Sequence, residues 1–428
     1  MSDRTFSITP VATARNMRVL IISGEDLAGG GHRAAFRLHQ ALRGIGVESF
    51  MAVRRKHSTD PFVHKMTPSE LGWPPVGRGY LDLLPHVLCR SKNEPISLGL
   101  QSADLRKLTE RFKPDIVNLH WINGGIASIH AVGKLQVPVV WTLHDMWPFT
   151  GGCHYSGECL QYRESCQRCP KVKDVLGAPA ITSWVHGRKR NYWGNKALHA
   201  ITPSAWMRNL ALSSTLFERA TVTHIRNCVD GRIFNGQARA QMRAKLGLLP
   251  DNKAVLFSSA HQSRKGALII PNVIRYLRAV APESDWRFLF MGGLPPTLTP
   301  DQGITQLPPT TDEARVASYY AASDVYALPS LEDNLPNTVS ESLSCGTPVA
   351  AFPTGGIVEM ISSGCFGYLS ADRSAQSLAM SIIQCIQANL LPRDTISNEA
   401  HNTYSMQSIA EEHRTLYLKI TSSSATRV

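Results

Sequence analysis

Two carboxylates, Asp333 and Glu341, lie eight residues apart in the stretch from Ala327 to Met360, and Asn334, Leu335, Pro336 and Asn337 fill the start of the gap. The stretch reads as strand, loop, helix and second strand, with Pro336 suited to the first helical turn. A helix start leaves backbone N–H groups unpaired, here those of Asn337 and Thr338. Such a start binds phosphate or a developing anion. Asp333 in the loop and Glu341 two turns along would reach the same ligand from either side. The plainer alternative for Asp333 is a helix cap.

A second basic loop, Ser258 to Ala267, carries Arg264 and Lys265 just before a glycine. A lysine at a glycine turn can reach a diphosphate as a point charge; an exposed basic turn is the alternative. His120-Trp121 and His144-Asp145 each end an apolar run, which puts two histidines at strand ends. One such histidine is more often a satisfied core residue than a reacting group. Gly29-Gly30-Gly31 follows the first apolar run. It is not the G-x-G-x-x-G dinucleotide fingerprint, and no ribose-binding acid follows the second run, which argues against a dinucleotide dehydrogenase. Four cysteines cluster as Cys153-x5-Cys159-x6-Cys166-x2-Cys169. One half fits a tetrahedral zinc knuckle and the other has too wide a gap, so structural zinc and reduced or redox-labile thiols both stay open. No catalytic metal is suggested.

The elements that would position these groups alternate along the chain. Met17–Ser23 predicts a buried strand, followed by the glycine loop and a helix with Ala34, Ala35, Leu38, Ala41 and Leu42 at helical spacing. Strands are expected at 115–121, 137–144, 199–202 and 223–226. Residues 57–100 are read as irregular. A second series follows: strands at 254–258, 286–291, 324–329 and 348–352, and helices at 268–280, 313–323, 336–345, 373–389 and 405–421. Two such series predict an α/β chain with two Rossmann-like domains facing a cleft. The divisions are a leader at 1–16, a first domain at 17–235, a second at 236–404, and a last helix at 405–428 crossing back to the first.

The 428 residues carry a net charge of +12 with 18% charged and 43% hydrophobic residues, an ordinary globular composition. No stretch has the ~18 apolar residues of a membrane span, and the first residues lack an apolar signal core. A cytoplasmic protein is expected, or one touching the inner membrane face from outside. No nucleic-acid module is legible. Two basic clusters, Arg54-Arg55-Lys56 and Arg188-Lys189-Arg190, suggest either solvated loops or a patch for an anionic membrane surface.

The 327–360 stretch resembles the donor-site signature of family 4 glycosyltransferases, E-x7-E followed by small-Gly-x-Pro-Val. Here Asp333 stands for the first acid, Glu341 for the second, and Cys345 to Val349 for the tail. The resemblance implies the GT-B fold and retaining, metal-independent transfer from a nucleotide-diphosphate sugar. It implies that Glu341 holds the ribose and Asp333 the donor sugar. The 334–337 backbone would support sugar and phosphate, and Lys265 with Arg264 would neutralise the diphosphate. His261 stands where the family usually has an arginine. Gly30 and Gly31 would approach the donor phosphates, His144 would touch the transferred sugar, and His120 and Asp145 would orient it or the acceptor. The cysteine segment is similar to one in a subset linked to exopolysaccharide and colanic-acid-type pathways, which implies a lipid-linked glycan acceptor. Two alternatives stay open: a nucleotide-sugar epimerase of the same fold, and a non-catalytic nucleotide-sugar- or glycan-binding partner.

Overall fold

The apolar run at Met17–Ser23 forms β1 (Arg18–Glu25), whose alternate residues serve two cores: Leu20 and Ile22 pack on one face, Val19 and Ile21 on the other. The structure, a computed structural model, describes residues 16–72, 96–172, 180–258, 263–301, 303–361, 364–387 and 390–425. β1 is central to a parallel sheet ordered β3-β2-β1-β4-β5-β6-β7. The other strands are β2 (Glu48–Arg55), β3 (Val63–Lys65), β4 (Ile116–Leu119), β5 (Val139–Thr142), β6 (Leu198–Thr202) and β7 (Thr221–His224). A parallel sheet must be covered on both faces, and the helix Gly30–Gly44 covers one of them through Ala35, Leu38 and Leu42.

β2 was not anticipated from sequence. Its charged ends, Glu48 and Arg54-Arg55, mask the buried Met51, Ala52 and Val53. Within the stretch read as irregular, the structure shows β3 and a one-turn helix, Pro68–Leu71, held by a Thr67–Glu70 capping box; the rest of it, from 73 to 95, lies outside the described residues.

The second domain holds a sheet ordered β10-β9-β8-β11-β12-β13. Its strands are β8 (Lys253–Ser258), β9 (Trp286–Met291), β10 (Ile304–Gln306), β11 (Val325–Leu328), β12 (Val349–Ala351) and β13 (Gly367–Leu369), all parallel. The strand order reverses between β1 and β4 in the first sheet and between β8 and β11 in the second. Open α/β sheets bind ligands beyond the carboxyl ends of strands at such switch points.

Val229 and Phe234 already pack into the second domain's core. The last helix, Met406–Ala425, lies against the Gly30–Gly44 helix of the first domain. Ile409, Ala410, Tyr417 and Ile420 enter that domain's core, and the Tyr417 hydroxyl accepts from Asn118 Nδ2 of β4 at 2.7 Å. An asparagine buried in a central strand needs such a partner. No helix among the described residues is long and apolar enough to cross a membrane.

Candidate active site

Three connections at the carboxyl ends of β1, β4 and β5 bring the expected first-domain residues together. His120 follows β4, His144 follows β5, and their rings meet: His120 Nδ1 and His144 Nε2 are 2.8 Å apart. Burial holds both neutral, pushing His120 well below its ordinary value and His144 down to about 4. Gly31 lies under the His144 ring, where a Cβ would come within 3.1 Å of His144 Cγ. Gly30 instead offers its carbonyl to the other domain. Asp145 is fully engaged: Oδ2 accepts from Trp121 Nε1 at 3.1 Å and meets His154 Nδ1 at 2.7 Å, while Oδ1 accepts from Trp147 N at 2.9 Å. Burial would raise its pKa, but His154 and the Trp147 N–H outweigh that and hold it low. Asp145 is therefore an anchor for the 147–154 turn. The gap left between His120, Trp121, Asn123, His144, Asp145 and Trp147 is only water-sized.

In the second domain, the loops after β8 and β11 converge. Lys265 Nζ donates to Asp333 Oδ2, which also accepts from Ser330 Oγ at 3.2 Å. Gly266 has a φ of +74° and presses on Pro329, so that a Cβ there would fall on the Pro329 carbonyl. That close approach sets Lys265 beside Asp333. Arg264 donates to the Glu332 carbonyl and stacks over the Tyr155 ring at 4.4 Å. The helix runs Asn337–Ser344, with Pro336 in extended geometry just before it rather than in its first turn. Leu335 is buried in the core beneath. Glu341 is 5% exposed and accepts from Arg37 Nη2 at 2.7 Å and from the Tyr320 hydroxyl at 3.3 Å. His261 lies outside the described residues.

The two halves are joined across the cleft. Asn334 Nδ2 donates to the carbonyls of Leu143 and His144 at 2.9 and 3.3 Å, and its Oδ1 accepts from Ser204 Oγ at 2.6 Å. Asn337 Nδ2 donates to the Gly30 carbonyl at 2.9 Å, and its Oδ1 accepts from Asn227. The side chains of both asparagines thus serve domain closure. Glu359 accepts from the N–H groups of Ala205 and Trp206 at a first-domain helix start.

Residues 28–231 match the model of Glycosyltransferase Family 4, and residues 252–388 match that of Glycosyl transferases group 1. The chain carries the paired domains of a group 1, family 4 glycosyltransferase. Among curated relatives, the D-inositol 3-phosphate glycosyltransferase of Mycobacterium marinum is 26% identical over 417 residues, covering 90% of this chain and 81% of that protein. That of Pseudarthrobacter chlorophenolicus is 26% identical over 361 residues, covering 81% of this chain and 79% of that protein. Among solved structures, the sucrose-phosphate synthase of Thermosynechococcus elongatus superposes with a TM-score of 0.65 at 17% identity, over 95% of this chain and all of that one. Anabaena HepE in complex with UDP-glucose gives 0.58 at 16%, over 96% and 100%. These neighbours share the GT-B fold.

Several expectations change in this glycosyltransferase. Glu332, next to Asp333, is bound by the first domain: its Oε1 accepts from Gly157 N. The basic clusters are partly tied into the fold. Arg54 bonds the Gly124 carbonyl, Arg55 pairs with Glu25, and Lys56 holds the Asp60 carbonyl. Lys189 is fully buried over the Trp147 ring and donates to the Trp147 and Thr150 carbonyls. Arg55 and Arg190 stay exposed and Arg54, Lys56 and Arg188 half-buried, so of the two clusters only Lys189 is taken out of the surface. Cys153, Cys159, Cys166 and Cys169 line one small, water-sized apolar cavity as free thiols. Burial pushes Cys153 up to about 12 and Cys166 to about 11. Among the described residues, no three His, Cys, Asp or Glu side chains converge as a metal set. Sequence reasoning missed Arg37, Glu313, Ser204 and Tyr155. For Arg37 a signal existed: it shares the apolar helix face with Ala34, Leu38 and Ala41.

Proposed function

We propose that this chain transfers a sugar, with retention of configuration and without a catalytic metal, from a nucleotide-diphosphate sugar to a hydroxyl of a lipid-linked glycan in surface polysaccharide synthesis. One observation carries the reading. The Asn334 bonds to the Leu143 and His144 carbonyls put the loop bearing Asp333 directly against the strand end bearing His144. The sugar of a donor seated on the second domain then lies between Asp333 and His144. Its diphosphate falls to Lys265, Arg264 and the N–H groups at the Asn337 helix start, and its ribose to Glu341. Cations and amides fixed where charge develops on a leaving group are usually the largest catalytic contribution, and they make a divalent metal unnecessary. Neutral His144 can touch sugar hydroxyls as donor or acceptor without competing for the diphosphate. The closed cleft keeps water from the donor. A bound UDP-glucose in the HepE neighbour supports a nucleotide-sugar donor.

The lipid-linked glycan acceptor rests on the resemblance of the cysteine segment and stands against the phosphate monoester of the relatives' name. The test is label transfer from radioactive nucleotide sugars, with a bacterial lipid extract and inositol phosphate as competing acceptors. Label in the lipid phase is expected. Label on inositol phosphate would replace the acceptor assignment, and donor turnover without any acceptor would point to an epimerase or hydrolase.

A further inference from the structure

The Glu341 carboxylate, read above as the ribose acceptor, is held by a residue of the opposite domain. Arg37 projects from the Gly30–Gly44 helix, and its Nη2 reaches two acids of the second domain: Glu341 Oε1 at 2.7 Å and Glu313 Oε1 at 2.6 Å. The Arg37 side chain is 2% exposed and Glu341 7%, so neither charge has water to fall back on. Arg33, one turn earlier, reaches Glu313 at 3.4 Å, and Tyr320 donates to the other oxygen of Glu341. Two cations of one domain thus balance two carboxylates of the other. Arg37 also packs over the Phe234 ring at 4.9 Å, and its Nε and Nη1 have no hydrogen-bond partner. Leaving charged donors unpaired in the interior is costly. A residue serving only as interdomain adhesive would be better placed where all its donors were used.

We propose that Arg37 is a positioning residue for the donor: its guanidinium separates Glu341 from Glu313 and fixes the Glu341 carboxylate for the ribose hydroxyls, so the ribose site is completed only by the first domain. The proposal rests on the reading of Glu341 as the ribose acid. Without Arg37, the two carboxylates face each other, with Arg33 on Glu313 but not on Glu341, and like charges in a poorly solvated site repel strongly. Glu341 then turns away from the ribose. Neutralising Glu313 as well restores the charge balance and removes the repulsion.

The experiment compares wild type, Arg37→Met, Arg37→Lys, Glu313→Gln and the double variant Arg37→Met/Glu313→Gln, reading kcat, donor KM, nucleoside-diphosphate affinity and thermal midpoint. Arg37→Met should raise donor KM and weaken nucleoside-diphosphate binding by about tenfold or more, with kcat changed by less than about threefold. The double variant should recover most of that loss. Arg37→Lys, which keeps the charge and loses the planar fork, should fall between. If Arg37→Met lowers kcat and the double variant is worse still, Arg37 is only an interdomain contact and the proposal fails. If Arg37→Met does not fold, the Arg37→Lys KM against kcat decides in the same way. Glu341→Ala separates the two readings: unchanged nucleoside-diphosphate binding there would remove the ribose assignment itself, whereas weakened binding there with wild-type behaviour in Arg37→Met would overturn only the role of Arg37.

Discussion

Lys265 and Asp333 neutralise each other across the two loops that end β8 and β11, Nζ donating to Oδ2. The cation assigned to the leaving diphosphate and the acid assigned to the sugar therefore share one contact when no donor is bound. A donor must part them, and its diphosphate then takes the Lys265 charge. Lys265→Ala should lower kcat by ~10²–10³, the usual effect of removing one preorganised charge from a leaving group. Asp333→Asn keeps the shape and frees Lys265, so its loss should appear mainly as a weaker hold on the sugar. Donor KM with nucleotide sugar, set against affinity for the free nucleoside diphosphate, separates the two: only the former should suffer in Asp333→Asn.

Gly31 carries a second prediction. A Cβ at this position would lie 3.1, 3.2 and 3.3 Å from three atoms of His144, all tighter than ordinary contact. Gly31→Ala should tilt the ring and lengthen its 2.8 Å contact with His120. Misplacing a reacting group by an ångström costs up to ~10² in rate. Turnover should drop by about tenfold or more while the thermal midpoint moves by only a few degrees. Wild-type turnover would mean that His144 does not touch the sugar.

The helix-forming spacing after β1 and the strand, loop and helix around Asp333 were legible because each is local: apolar period, glycine loop and helix start lie within some thirty residues. What was not legible depends on the second domain. Arg37 in an apolar helix face has no meaning until Glu341 and Glu313 face it. Asn334 and Asn337 look like donor-loop residues in sequence, and only the closed cleft turns their side chains toward Leu143, His144 and Gly30. One charge cluster misled for a related reason. Lys189 stands between two arginines in sequence, yet the helix turns it inward onto Trp147. β2 escaped because its charged ends interrupt a short buried centre.

Acidification tests the buried histidines. Burial lowers His32, His39, His144 and His413 from 6.5 to about 4 each. A base with a depressed folded pKa gives stability that is fully present above 6.5. That stability is lost as pH falls from 6.5 toward 4, because the unfolded chain takes up the protons first. The slope is up to ~1.4 kcal/mol per pH unit for each group. Thermal midpoints should fall between pH 7 and pH 5, and His413→Gln should flatten that fall. A midpoint constant over this range would contradict the assigned neutral states.

The cysteine cavity yields a prediction that separates its two chemistries. The four thiols share a cavity but do not converge as a metal set. Unfolded protein should therefore titrate as nine free thiols with no stoichiometric zinc. One equivalent of zinc, released only on thiol modification, would mean that the 153–169 segment closes around a metal.

The central claim is that Glu341 and Lys265 turn over a nucleotide-sugar donor. The most direct measurement is nucleoside-diphosphate release from a panel of nucleotide sugars, with and without a lipid extract, for wild type, Glu341→Ala and Lys265→Ala. The account predicts release from one donor class that depends on the extract and falls by at least ~10² in both variants. Saturable binding with no release from any donor would contradict it and make the chain a nucleotide-sugar-binding partner instead.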